Sequence, residues 1–205
     1  MILSVTEARQ LERLPASDEV DQRVYLHGVS WAGYEALLAM RGESSVPRIT
    51  YLEGEVELMS PSRSHERLKK RLARLVEAWA EESGIDLEGY GSWTLKRSRE
   101  ERGAEPDECY VVGGHDTECP DFAIEVVWTS GGISKLEVYR RLGVREVWFF
   151  EGGVLTFHTL RGDRYEQIAR SEVLPTFDPE LIVSCMNETT QSRAVRALRK
   201  TMRGS

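Results

Sequence analysis

The feature that most constrains this chain is FAIEVVWT at 122–129, a nearly continuous apolar run with one carboxylate at its centre. A β-branched run of this kind reads as a central strand buried on both faces. Glu125 within it is costly to bury without a partner. Ser130-Gly131-Gly132 ends the run. Residues 133–142 have the spacing of a short amphipathic helix with Gly143 at its C-cap, and VREVWFF at 144–150 reads as another strand. A strand–helix–strand crossover of this length implies that the two strands pair in parallel.

The remaining sequence supplies elements around that unit. Ser30 reads as the N-cap of a helix over 31–41, with Trp31, Tyr34, Leu37 and Leu38 on one face and Gly42 at its end. ITYLEGEVELM at 49–59 alternates about Glu53-Gly54, as a β-hairpin does. A long helix follows over 64–83, with an apolar stripe of Leu68, Leu72, Leu75, Val76 and Trp79, and Gly84 stops it. We expect a strand over 85–95 running into the charged turn KRSREERG, and a short strand over 106–112 (PDECYVV). A closing hairpin is expected over 155–168 and a basic helix over 192–203. The fold class is therefore α+β, a mixed β-sheet flanked by helices with added hairpins. The organisation we expect is an N-terminal extension at 1–48 whose short helix packs on the core, a core at 49–170, and a C-terminal tail at 171–205.

Composition excludes several classes. A length of 205 residues favours one domain. Lys+Arg total 27 against 34 Asp+Glu, a net charge of −7, so the chain is no general nucleic-acid coat, although local basic faces are allowed. The three cysteines, Cys109, Cys119 and Cys185, have no CxxC spacing. That argues against a disulfide framework and a zinc ribbon, and it suits a reducing cytoplasm. No apolar run approaches the roughly 20 residues that span a bilayer. The opening MILSVTEARQ lacks a positive region before its apolar start and reads as mature sequence, so we expect a cytoplasmic protein with no membrane partner.

Two carboxylates stand out. Asp107 follows Pro106 at the start of one short strand, and Glu125 lies within the next. A divalent cation shared between neighbouring strands would explain both, since Mg²⁺ takes one or two carboxylates with waters and phosphate oxygens. A buried ion pair with an Arg, or a solvated edge, would explain Glu125 equally simply. Asp121 repeats the Pro-Asp pair and reads first as a strand-entry turn.

The strings YLEGEVELMSPSRSHERL, EPDECYVV and PDFAIEVVWTSGGISKLEVYRRLGVREVWFFEGG resemble the Uma2 family of restriction endonucleases, within the PD-(D/E)XK nuclease superfamily. The resemblance covers roughly 50–166. It implies a restriction-endonuclease-like core of helix, three strands, helix and strand. It also implies that Asp107 and Glu125 are the metal-binding and catalytic carboxylates, with the Val126 carbonyl as a further ligand of Mg²⁺ or Mn²⁺. The superfamily lysine two residues after the Glu is replaced here by Val127, and the lysine that Uma2-like proteins carry in the next helix matches Lys135. The implied activity is hydrolysis of DNA phosphodiesters. The metal would activate water, and Lys135 would orient or deprotonate that water or neutralise developing charge.

Accessory candidates are His65 at the start of the long helix, Glu66 beside it, and Asp121. Glu55 and Glu57 read as the polar face of a hairpin, and Trp128 and Trp148 as core. Arg63, Lys69, Lys70 and Arg97 are candidate nucleic-acid contacts. The basic helix adds Arg193, Arg196, Arg199, Lys200 and Arg203, and each such run is equally well a solvated helix face with i,i+4 pairs. Two other functions fit the same residues. One is a nuclease-like fold of weak or absent catalysis that binds DNA or protein. The other is a metallohydrolase of small phosphoesters. Cutting both strands would call for a two-fold homodimer.

Overall fold

The computed structural model describes residues 20–114, 117–128 and 131–204. The crossover is central to a six-stranded sheet with the order β11 (Arg164–Ile168), β10 (Val154–Arg161), β9 (Glu146–Glu151), β8 (Phe122–Val127), β7 (Glu108–Val112) and β4 (Leu87–Gly89). Only β8 and β9 pair in parallel, with Glu125 opposite Phe149. The other pairs are antiparallel. The helix between β8 and β9, α3 (Lys135–Leu142), starts at Ser134, whose hydroxyl accepts the Glu137 N–H, and ends at Gly143 in the left-handed conformation.

A second sheet is wholly antiparallel, in the order β1 (Gln22–Leu26), β3 (Glu55–Ser60), β2 (Arg48–Leu52), β6 (Arg102–Ala104) and β5 (Leu95–Arg97). The expected hairpin is β2–β3. Two expectations are corrected here. The single strand over 85–95 is two strands, β4 and β5, one in each sheet. The charged turn is a hairpin, β5–β6, in which Arg102 is buried and pairs with Glu53. The charges of KRSREERG gave a turn signal, but a strand this short is defined by its partner and not by its own residues.

Helix α1 (Trp31–Arg41) is capped by Ser30 and covers the outer face of the second sheet, where Tyr34, Ile49, Tyr51 and Val56 form one apolar cluster. Gly103 permits this packing, since a Cβ there would lie 2.1 Å from the Tyr34 hydroxyl. Helix α2 (Arg63–Ser83), capped by Ser62 and Gly84, lies against the six-stranded sheet with α4 (Pro179–Met186) and α5 (Gln191–Arg203). The largest cluster gathers Leu72, Leu75, Val76 and Trp79 of α2, Phe122, Ile124 and Trp148 of the sheet, and Phe177, Ile182 and Leu198 of the tail. The opposite face of that sheet packs Ala123 and Val147 on Val138, Tyr139 and Leu142 of α3 and on Leu95 and Ala104 of the second sheet. The layers are therefore α1, the antiparallel sheet, α3, the mixed sheet, and then α2 with α4 and α5. Among the described residues no helix is long and apolar enough to cross a membrane.

Candidate active site

The ladder between β7 and β8 sets Glu108 opposite Ile124, so Asp107 and Glu125 follow as the next pair. Strand alternation puts Asp107 with Cys109 and Glu125 with Ala123, both in the cluster beneath α3. Both carboxylates are buried. Asp107 also continues the ladder with its side chain, because Oδ2 accepts the Val126 N–H at 2.6 Å. An extended residue points its N–H and C=O to the same edge, so the Val126 carbonyl faces the Asp107 side.

Each carboxylate is neutralised separately. Asp107 Oδ1 meets the Arg48 guanidinium and His65 Nε2, the latter at 2.9 Å. The other ring nitrogen of His65 lies 3.0 Å from Asp21 Oδ2. Burial raises the Asp21 carboxyl, but the His65 contact and the hydrogen bond from the Ser62 N–H outweigh it and leave the group below its ordinary 3.8. Glu125 accepts a short hydrogen bond from the Tyr139 hydroxyl. Burial first, and the Glu125 charge second, push that phenol well above its usual range, so Tyr139 is a permanent donor.

Lys135, in the first turn of α3, brings Nζ to 3.4 Å from Glu125 Oε1. It lines a cavity of about 60 Å³ with Arg23, Glu57, His65, Glu125, Val126 and Val127. That is room for about two waters. Val127, two residues after Glu125, forms part of the cavity wall, and Lys135 reaches the same cavity from the helix. Glu57 corrects an expectation. It is no solvated hairpin residue but only 3% exposed, and its Oε2 accepts the Ile133 N–H at 3.2 Å. Arg23 donates to the Gly131 carbonyl at 2.7 Å. A Cβ at Gly132, with φ +119°, would lie 2.3 Å from Glu57 Oε2, so only glycine lets the chain pass.

Other sequence candidates lie outside this cavity. Glu66 is half exposed and pairs with Arg48 and Lys69, linked to Asp107 only through the Arg48 guanidinium. Asp121 accepts the Val112 N–H at 2.8 Å and ties the entry of β8 to β7. Arg97 donates to the Arg141 carbonyl, while Arg63 and Lys70 are exposed on α2. Glu55 is exposed beside His27. Trp148 is core, as expected, but Trp128 is 43% exposed, because it follows the last paired residue of β8. Asp21, Arg23, Arg48 and Tyr139 were not legible as site residues. Apart from the Arg23–Asp21 pair, their partners are 14 to 108 positions away, and no local pattern marks them. A larger cavity of about 530 Å³ beside the end of α2 is lined by Glu77, Glu81 and Asp86 without a cation or histidine.

Hard oxygen donors on adjacent strands suit Mg²⁺ or Mn²⁺. Among the described residues no three His, Cys, Asp or Glu side chains are already grouped around one point. Asp107 Oδ2 carries one hydrogen bond and retains lone-pair capacity. The contacts of Glu125 fall on Oε1. The oxygens left free of these contacts, and so open to a cation, are a lone pair of Asp107 Oδ2 and Glu125 Oε2, with the Val126 carbonyl on the Asp107 side.

A sequence model of the Uma2 family, described as "Putative restriction endonuclease", matches residues 31–190. No curated protein matches the chain. Among solved structures, the chain is similar to a "putative nuclease belonging to DUF820" from Anabaena variabilis ATCC 29413. The TM-score is 0.44 and the identity 12%, over 78% of this chain and 96% of that one. Because the family pattern spans most of the sequence, from α1 through the mixed sheet to the start of the last helix, this chain belongs to the Uma2 family.

Proposed function

We propose that this protein is a metal-dependent endonuclease that hydrolyses DNA phosphodiester bonds, with Asp107, Glu125 and Lys135 as its catalytic residues. The observation that carries this reading is the arrival of Lys135 at the buried Glu125, whose neighbour Val126 is hydrogen-bonded to the buried Asp107. Asp107, Glu125 and the Val126 carbonyl would hold Mg²⁺ or Mn²⁺. When bound, the metal supplies Lewis acidity toward a phosphate oxygen and acidifies a water. Lys135 positions the attacking water and offsets charge that develops on the phosphate. Tyr139 fixes the Glu125 carboxylate, and His65 with Arg48 fixes Asp107. Cys109, Cys119 and Cys185 are free thiols, the state that a reducing cytoplasm maintains. A double-strand cut would be made by two copies about a two-fold axis.

The test is Glu125→Gln, which keeps shape and removes charge. Calorimetry with Mn²⁺ should show one site in the wild-type protein and none in the variant, with plasmid cleavage lost in parallel. Unchanged Mn²⁺ binding in Glu125→Gln would remove Glu125 from the metal site. A second reading, a nuclease-fold module that binds DNA without cutting it, is favoured by the engagement of Asp107 by Arg48 and His65. It would be supported if the wild-type protein bound Mn²⁺ and DNA but cut no form of DNA.

A further inference from the structure

The exposed cations are not evenly spread. On α2, Arg63, Arg67, Lys70 and Arg74 are all exposed, and their spacing of i, i+4, i+7 and i+11 places them in one stripe. The stripe is about 16 Å long at 1.5 Å per residue. None of the four forms an ion pair among the described residues, whereas Lys69, between two of them in sequence, is paired with Glu66. Lys70 also stands near the half-buried Glu108, without an ion pair. Alongside, α5 contains no acidic residue, and its Arg193, Arg196 and Lys200 are exposed and unpaired with any acid. The Gln191 side chain donates to the Lys70 carbonyl, which sets the start of α5 beside the stripe. The remaining α5 arginines are different, because Arg199 and Arg203 are neutralised by Glu81 and Glu82.

Glu66 lies within helical reach of Arg63 and Lys70, and Glu77 within reach of Arg74, yet Glu66 pairs with Arg48 and Lys69 instead and neither acid forms an ion pair with the stripe. In a chain of net charge −7, seven exposed cations outside any ion pair thus stand on two adjoining helices, a local concentration of positive charge. We infer that the α2–α5 face is a docking track for the phosphate backbone of duplex DNA, which it holds across the helix whose first turn carries His65. The double-stranded form is indicated by what the face lacks. Single-strand tracks combine cations with aromatic platforms for unpaired bases. The exposed large apolar residues among those described, such as Tyr25, Tyr90 and Trp128, all lie off α2 and α5.

This inference rests on DNA being the substrate, but it is tested by binding alone. The probe is a fluorescent 25-base-pair duplex in EDTA, read by anisotropy across a salt series. Arg67→Gln/Lys70→Gln/Arg74→Gln should weaken binding at least tenfold near 0.1 M salt and reduce the slope of log K against log salt by roughly 2–3, at about 0.9 per phosphate contact. Arg193→Gln/Arg196→Gln/Lys200→Gln should do the same. Lys69→Gln, which removes a paired cation, should change the slope by less than about 0.5. Wild-type slope and affinity in both triple variants would overturn the track. So would tighter binding to a single strand of equal length, or binding to anionic phosphatidylserine vesicles but not to the duplex. Binding that follows these expectations in a protein that never cleaves would support the track and sink the catalytic reading. Cleavage that survives with unaltered binding in the variants would do the reverse.

Discussion

Tyr139 donates its buried hydroxyl to Glu125, the carboxylate that Lys135 also approaches, so one turn of α3 supplies both groups that set the position of this acid. The phenol is fully buried and held well above its ordinary titration range by burial and by Glu125. It donates at every accessible pH. Tyr139→Phe should retain the packing and lose the hydrogen bond. Stability should fall by about 1.5–3 kcal/mol, the usual worth of a hydrogen bond to a charged group. Urea denaturation measures the loss, and a change below about 0.5 kcal/mol would mean that the bond adds nothing in water.

The migrated lysine can be tested by rebuilding the superfamily arrangement. Lys135→Ala should reduce the cleavage rate by roughly 10²-fold or more, a typical loss for a positioned acid–base group. Mn²⁺ affinity should be unchanged or slightly higher, because a nearby positive charge is gone. Val127 lines the same cavity, so Val127→Lys in that background should restore part of the rate. Wild-type activity in Lys135→Ala would exclude this residue from the mechanism.

The pH dependence of stability should report Asp21. Its carboxyl titrates lower in the folded state than its ordinary 3.8. A depressed folded value means stabilisation that is present above the unfolded value and lost as pH falls through the folded one. The wild-type protein should therefore be more stable than Asp21→Asn at pH 7, and the difference should shrink below about pH 4. Chemical denaturation of the two proteins from pH 3 to 7 measures it. A constant difference over that range would show that the Asp21 charge makes no contribution.

Gly132 should tolerate no side chain. Gly132→Ala combines a strained positive φ with a contact that only displacement of the Glu57 carboxylate can relieve. The cost should be about 2–4 kcal/mol. Its signature is rescue, because Glu57→Ala in the same chain should recover part of the loss by removing the colliding atoms. Additive destabilisation in the double variant would show that the two residues do not meet.

Local structure was legible because its causes are local. Ser30 caps α1, and Gly84 and Gly143 end α2 and α3 in left-handed conformations. The parallel pairing of β8 and β9 followed from an intervening helix, and Glu125 was conspicuous because a carboxylate in an apolar strand requires a partner. Membership of a sheet was not legible. β4 and β5 are three residues each, and partners elsewhere in the chain recruit one to each sheet. The same reason hid half of the site. Glu57 has an ordinary alternating position in a hairpin, and only the approach of Gly131–Ile133 from 76 residues away buries it. Asp21 and Arg23 precede the family-matched span 31–190, yet β1 pairs with β3 and carries them to His65 and Gly131. Sequence determined which groups are chemically unusual and which helices form, since capping, periodicity and burial cost act within a few residues. The tertiary structure decided which groups meet, because a buried charge takes its partner from whatever the sheets bring alongside, at any distance along the chain.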